Sequence, residues 1–184
     1  IQTPDAPIAS APARFRKLLR EKGFDGLNVE MLCEAVEYLE ANDGDVIVER
    51  GTPWKHIFFL LDGTVRYDSW LYEISALDEE GRPMLRSVGT IALFGDQLLS
   101  DTSRVRVVGN SVLASLRFEQ VQKLCSSSPQ FALRLMFLFG QSALRLAVAL
   151  EYEQTADDPD ERTEEPYVFS VPFDPTISTG DMFL

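Results

Sequence analysis

The sequence predicts a mainly β domain with flanking helices: a small antiparallel β-barrel, preceded by short helices and followed by one long helix. Three observations carry this. Gly44, Gly51 and Gly63 punctuate short apolar runs at nearly even spacing in GDVIVERGTPWKHIFFLLDGTVRYD. A hairpin pattern follows, then a Phe94-Gly95-Asp96 turn with Arg104 and Arg106 a few residues on. Turn signals recur roughly every 8–12 residues, the rhythm of a closed or sandwich-like β fold.

Residues 1–9 carry two prolines and little pattern, and read as a loose arm. Ser10 is placed to cap a helix over 12–22, with Pro12 in the first turn, where its missing N–H costs nothing. Phe15, Leu18 and Leu19 fall on one face, and Arg14, Lys17 and Arg20 lie mostly off it. Gly23 stops it. This is a packing or lid helix; a basic helix of this kind also suits a partner or a membrane surface. A second helix is expected from Asn28, as cap, to about Val36, with Met31, Leu32 and Val36 as its apolar stripe.

Then the period changes. Val46, Ile47 and Val48 are β-branched and read as a strand. Ile57 to Leu61 is a buried strand ended by Asp62-Gly63, a hairpin turn in which glycine takes positive φ, and Val65-Arg66-Tyr67 resumes the sheet. Segments 71–77 and 84–88 flank a hairpin loop over 78–83. Segments 103–108 and 112–116 are the last two strands. Helix returns over 118–125. Ser128-Pro129 starts the long helix, from Pro129 to Tyr152, with Phe131, Leu135, Leu138, Ser142 and Leu146 as core positions and Phe139, Ala143 and Leu150 beside them. Apolar residues go nearly all the way round it, which asks for burial on more than one side. Arg134, Gln141 and Arg145 interrupt it, so membrane insertion is not expected.

The resulting layout is an arm and helix over 1–27, a domain over 28–152 and a tail over 153–184. Net charge is −12, against a nucleic-acid partner, whose binding is driven by Lys and Arg. The imbalance is local: residues 151–184 hold 10 acidic residues and one basic one. Within this tail, PYVFSVPF and the terminal Met182-Phe183-Leu184 are apolar, so it either docks on the domain or a partner, or stays disordered. Cys33 and Cys125 fall in expected helices and read as buried free thiols, which fits a reducing, cytoplasmic compartment; a disulfide is the lesser alternative. No basic start followed by an apolar run marks a signal peptide, and a chain beginning with Ile fits a piece of a longer polypeptide.

Enzyme chemistry has little to stand on. A single histidine, His56, cannot supply a multi-imidazole metal centre or a Ser-His-Asp triad without being the one residue every scheme needs. Gly-rich phosphate loops are missing. No catalytic or metal-ligating residue is assigned.

Taken in order, these residues resemble the cyclic-nucleotide-binding domain of catabolite activator proteins, kinase regulatory subunits and cyclic-nucleotide-gated channels, over roughly 29–150. GDVIVERG resembles its glycine-flanked strand and FFLLDGTVRY its following strand pair. SALDEEGRPMLRSVG leads into IALFGDQLLSDTSRVRV, which resembles the phosphate-binding cassette. NSVLASLRFEQVQKL and SSPQFALRLMFLFGQ resemble the closing strand and C-terminal helices. The resemblance implies a jelly-roll barrel, a non-catalytic regulatory role and a ligand such as cyclic AMP or cyclic GMP.

Carried over by position, the candidate ligand residues are Phe94, Gly95, Asp96, Gln97, Arg104, Val105 and Arg106. Gly95 would offer its backbone N–H, Asp96 stands where a glutamate accepts a ribose hydroxyl, and Arg104 or Arg106 stands where an arginine pairs with the cyclic phosphate. Two residues apart on a strand, the arginines share one face with Val108, opposite Val105 and Val107. The resemblance puts one arginine inside the barrel. Departures within the cassette, Asp96 for glutamate and a valine after either arginine, support a second expectation. In it the fold is kept without ligand and works through protein contacts or self-association, using the Pro129–Tyr152 helix and the acidic tail. The catabolite activators' DNA-binding module has no counterpart here, since an acidic, proline-bearing tail takes its place.

Overall fold

A computed structural model describes residues 8–69, 71–90 and 104–155. Phe94, Gly95, Asp96 and Gln97, and the tail from residue 156 on, lie outside these described residues. A 3-10 turn, Ile8–Ser10, leads into α1, Ala11–Glu21, followed by α2, Gly26–Ala35. Six strands follow: β1 Glu37–Ala41, β2 Val46–Val48, β3 His56–Tyr67, β4 Tyr72–Ser75, β5 Arg86–Val88 and β6 Val105–Arg117. Helices α3, Phe118–Ser127, and α4, Pro129–Thr155, complete the order.

The strands form one antiparallel sheet with the path β1-β6-β3-β4, while β2 pairs with β6 and β5 with β3. Two long strands, β3 and β6, run antiparallel from His56↔Arg117 to Tyr67↔Val105 and form its spine. Alternation along them builds two cores. Ile57, Phe59, Leu61, Ala114 and Leu116 face the helices, in one cluster with Phe15 and Leu19 of α1, Leu32 of α2, Leu124 of α3 and Leu135 of α4. Phe58, Leu60, Val65, Tyr67, Val105, Val107 and Leu113 face the other way, in a second cluster with Val88 and with Leu146 of α4. Phe59 is the hinge of the first cluster: its ring lies 5.1 Å from Phe15 and 6.1 Å from Phe139, both fully buried. Such pairs add about 0.5–1.5 kcal/mol each beyond burial.

Two expected turns are bulges. Asp62-Gly63 does not reverse the chain, and β3 runs straight through it; the strands expected over 103–108 and 112–116 are likewise one strand, bent at Gly109. The register shifts at Leu60/Asp62 and Asp62/Thr64, opposite Val112 and Val108. Because β3 and β6 bulge at matching positions, positive φ at Gly63 (+85°) and Gly109 (+71°) bends the pair without ending it. Side chains repair the broken ladder. The Ser111 hydroxyl accepts from Thr64 N–H at 3.1 Å and donates to the Thr64 carbonyl at 3.2 Å. Arg14 of α1 donates to the Leu61 carbonyl at 3.0 Å and pairs with Asp62 at 3.0 Å.

The other differences are local. Asp25, not Asn28, caps α2, accepting from Asn28 N–H at 2.9 Å; Asn28 is buried inside the first turn and donates its side-chain amide to the same carboxylate. Ser10 sits at the α1 N-cap position without a side-chain cap bond. The Glu37–Ala41 segment, between the expected second helix and the first expected strand, is strand β1, paired along β6. The 78–83 loop is closed by a Leu77↔Pro83 bridge and by Asp78, which accepts from Arg82 N–H at 2.7 Å and Glu80 N–H at 3.1 Å.

The long helix buries Phe131, Leu135, Leu138, Phe139 and Leu146, as its periodicity predicts. Its opposite side stays open: Leu133 is 70% exposed, Phe137 56%, Leu144 61% and Val148 50%. Pro129–Ala149 is long and apolar enough to cross a bilayer by length and composition, with mean hydropathy 1.4.

Candidate functional site

Arg104 and Arg106 do not face the second core. Val105 and Val107, at 0% and 1% exposure, line it; Arg106, between them on β6, lies on the opposite side of the strand, and Arg104, just before β6, turns to Glu49. This corrects the inward arginine that the resemblance implied. The alternation itself is as expected, but the buried phase belongs to the valines, because hydrocarbon fills a core at lower cost than an unpaired guanidinium.

Each arginine is engaged where it lies. Arg104 donates to Glu49 of the 49–55 turn at 2.7 Å and 3.0 Å. Arg106 donates to Asp68 at 2.8 Å. Arg66 stands directly opposite Arg106 in the β3–β6 register and lies 3.6 Å from the same carboxylate and 3.9 Å from Glu73. Asp68 therefore separates two like charges that would otherwise confront each other across the ladder. The Nε atoms of Arg66 and Arg106 are buried and make no hydrogen bond.

A different arginine faces the second core. Arg86 of β5 pairs in register with Leu60, so its side chain shares the sheet face of Leu60, Phe58 and Val88. It lines a cavity of about 730 Å3 between β4, the 78–82 turn, β5 and α4. Arg145 of α4 lines the same cavity. Burial, and then the positive charge of Arg145, push the Arg86 guanidinium below its ordinary pKa. Lys22, at the end of α1, is lowered by burial and then by the charges of Arg145 and Arg86. Beside this cluster the buried Ser87 hydroxyl donates to Ser142 at 2.7 Å, tying β5 to α4. Sequence reasoning missed Arg86, although the signal was present: it lies two residues before Val88, in phase with a buried strand position.

His56 is half-exposed, its ring 5.9 Å from Phe58. Cys33 is buried and Cys125 half-buried; both are free, and burial pushes both thiols up, away from the reactive thiolate. Among the described residues no three His, Cys, Asp or Glu side chains converge on a possible metal position.

Comparison with known proteins places the fold. No protein-family model matches the sequence, and no curated protein matches it. Solved structures do match. A protein from Geobacter metallireducens GS-15 described as cyclic-nucleotide-binding superposes with a TM-score of 0.58 at 14% identity, over 73% of this chain and 96% of that one. The regulatory domain of Toxoplasma gondii protein kinase A, crystallised with cyclic AMP, gives 0.51 at 15% identity over 74% of this chain and 51% of that one. The regulatory subunit of a cyclic-AMP-independent protein kinase A from Trypanosoma brucei gives 0.52 at 15% identity, over 81% and 51%. The six-stranded antiparallel sheet with its flanking helices is the jelly-roll fold of cyclic-nucleotide-binding domains.

Proposed function

We propose that this chain is a non-catalytic regulatory module of the cyclic-nucleotide-binding fold that acts through protein contacts made by α4, with no cyclic nucleotide held by Arg104 or Arg106. The fold is the setting, and it is compatible with either ligand state: one similar structure carries cyclic AMP, and another belongs to a kinase independent of it. The outward position of Arg104 and Arg106, each already paired with a carboxylate, favours the second state here.

The observation that carries the reading is the open face of α4. Leu133, Phe137, Gly140, Leu144 and Ala147 recur at alternating spacings of four and three, the rhythm of a coiled-coil seam. Leu133, Phe137 and Leu144 of this seam are exposed. From Leu133 to Ala147 the seam runs about 21 Å along the helix. Such a seam is self-complementary about a two-fold axis, so the partner is a second copy of this chain. The helix's other side is committed to the core through Phe131, Leu135 and Phe139, each at 0% exposure, and docking two copies leaves that packing untouched.

Light scattering of the full chain tests this. The wild type should behave as a dimer at tens of micromolar, and a Phe137→Glu, Leu144→Glu variant should be monomeric with unchanged circular dichroism. A wild type that stays monomeric at several hundred micromolar would overturn the reading.

A further inference from the structure

We propose that segment 156–174, which follows α4 in the sequence, folds back along that helix within the same chain. Its acidic run meets Arg145, its apolar run covers Leu133, Phe137 and Leu144, and Asp174 closes on Arg134. This strap rests on the reading of α4 as the contact surface and adds its regulation, since a strap and a second copy compete for one face.

Two rows run side by side on α4. Leu133, Phe137, Leu144 and Val148 are the exposed apolar row. Arg134 and Arg145 each follow a leucine of that row by one residue, about 100° further round the helix, and both are exposed. Among the described residues neither has a carboxylate within ion-pair distance, whereas Arg16, Arg82, Arg104 and Arg117 each meet one within 2.9 Å. The end of α1 belongs to the same rim. A Cβ on Gly23 would lie 3.5 Å from the Arg134 guanidinium, and Lys22 beside it is likewise exposed, with no carboxylate within ion-pair distance among the described residues. Burial, and then the charge of Arg145, lower the Lys22 ammonium below its ordinary pKa. An apolar row edged by unmatched cations fits a partner that is both acidic and apolar.

The seam of a second copy brings no acid to this rim, because α4 carries no Asp or Glu from Pro129 to Ala149. The segment after α4 supplies both parts in order. Residues 157–165 hold six acids and one arginine, and PYVFSVPF follows at 166–173, with Tyr167, Phe169, Val171 and Phe173 on one side of an extended run; Asp174 comes next. The reach fits. α4 ends at Thr155, and Arg145 lies about 15 Å back along the helix, a distance that about five extended residues cover. From Leu144 to Leu133 is about 17 Å, inside the roughly 26 Å that eight extended residues span.

Trypsin reports on the strap in the full chain, because Arg162 is the only Lys or Arg in 151–184 and cleavage there follows the undocked fraction. Release of the fragment after Arg162 is followed by mass spectrometry. At about 1 µM, an Arg134→Gln, Arg145→Gln variant and a Tyr167→Ser, Phe169→Ser variant should each be cut about fivefold faster than wild type or more. An Arg117→Gln variant should be cut at the wild-type rate, and higher salt should speed wild type toward the variants. Two copies must each release a strap before pairing, so a fivefold rise in the undocked fraction should lower the dimer dissociation constant of the Tyr167→Ser, Phe169→Ser variant about twenty-five-fold. Equal cleavage in wild type and both variants would overturn the strap and leave the pairing of copies standing. Protection that appears only as protein concentration rises would overturn it too, since the segment then lies on a second copy. Slow wild-type cleavage that is released in both variants, with no dimer at several hundred micromolar, would support the strap and overturn the proposed pairing.

Discussion

Asp68→Asn tests whether Arg106 is held on the outer side of the sheet. Arg66 and Arg106 face each other directly across β3 and β6, with the Asp68 carboxylate 2.8 Å from one and 3.6 Å from the other. The side chains of Arg106 and Asp68 are 35% and 23% exposed, so water screens the pair and the full low-dielectric value does not apply. An exposed ion pair contributes up to about 1 kcal/mol. Loss of the charge that separates two facing arginines adds a few tenths, roughly 0.2–0.5 kcal/mol. Asp68→Asn should therefore cost about 1–1.5 kcal/mol, a fall in Tm of roughly 3–5 °C for a chain of this size. The assay is a double-mutant cycle by urea denaturation on wild type, Asp68→Asn, Arg106→Gln and the pair. It should return a coupling of about 1 kcal/mol that shrinks as salt is raised. A coupling within about 0.3 kcal/mol of zero means that Arg106 is not engaged by Asp68, and the outward placement fails.

Other consequences can be checked separately. At Gly63, φ is +85° and a methyl group would come within 2.5 Å of the Asn110 carbonyl and 2.8 Å of the Ser111 Cα, so Gly63→Ala should cost about 3 kcal/mol or more. Gly109→Ala, at φ +71° with open space around it, should cost only about 1–2 kcal/mol in the same denaturation series; equal costs would count against the bulge. Backbone N–H donation from Arg82, followed by its guanidinium, holds the Asp78 carboxyl below its ordinary pKa. A depressed carboxyl stabilises the fold above the ordinary aspartate pKa, near ~4, and loses that contribution as pH falls through its folded value. The stability gap between wild type and Asp78→Asn should thus be open at neutral pH and close in acid. A gap that does not vary with pH would show that the turn gains nothing from the charge. Cys33 and Cys125, both raised by burial, should react slowly with a thiol-specific disulfide reagent at neutral pH and fully only after unfolding.

Much of this architecture is legible in the sequence where period and chemistry agree. The 3.6-residue stripe of Phe131, Leu135, Leu138 and Leu146 locates the buried side of α4, and the start at Ser128-Pro129 is where the helix begins. The β-branched run Val46–Val48 locates β2, and the apolar runs locate β3 and β6, each in two pieces. The glycine framework in order points to the right fold, although no piece of it does so alone. What is not legible depends on partners distant in the chain. Asp62-Gly63 has the local chemistry of a hairpin, and only the pairing of β3 with β6 on both sides of it makes it a bulge. Glu37–Ala41 lacks a clean alternation, since its burial runs exposed, half-buried, exposed, exposed, buried, and it becomes a strand by pairing with Glu37↔Ser115 through Ala41↔Ser111. The candidate site shows the same division. That Arg104 and Arg106 share a face follows from spacing. Which side that face meets depends on whether valine or arginine fills the core, and the valines do. Arg86 has no motif to announce it; its phase with Val88 is the sequence signal, and its register with Leu60 fixes its face. Gly95 and Asp96 lie outside the described residues, so their expected roles rest on the resemblance.

Calorimetric titration of cyclic AMP and cyclic GMP into wild type and an Arg104→Ala, Arg106→Ala variant reaches the central claim most directly. Arginines spent on Glu49 and Asp68 at the outer face predict the same isotherm for both proteins, whether flat or saturable. Saturable binding in the wild type that vanishes in the variant would place a guanidinium on the ligand and contradict the account.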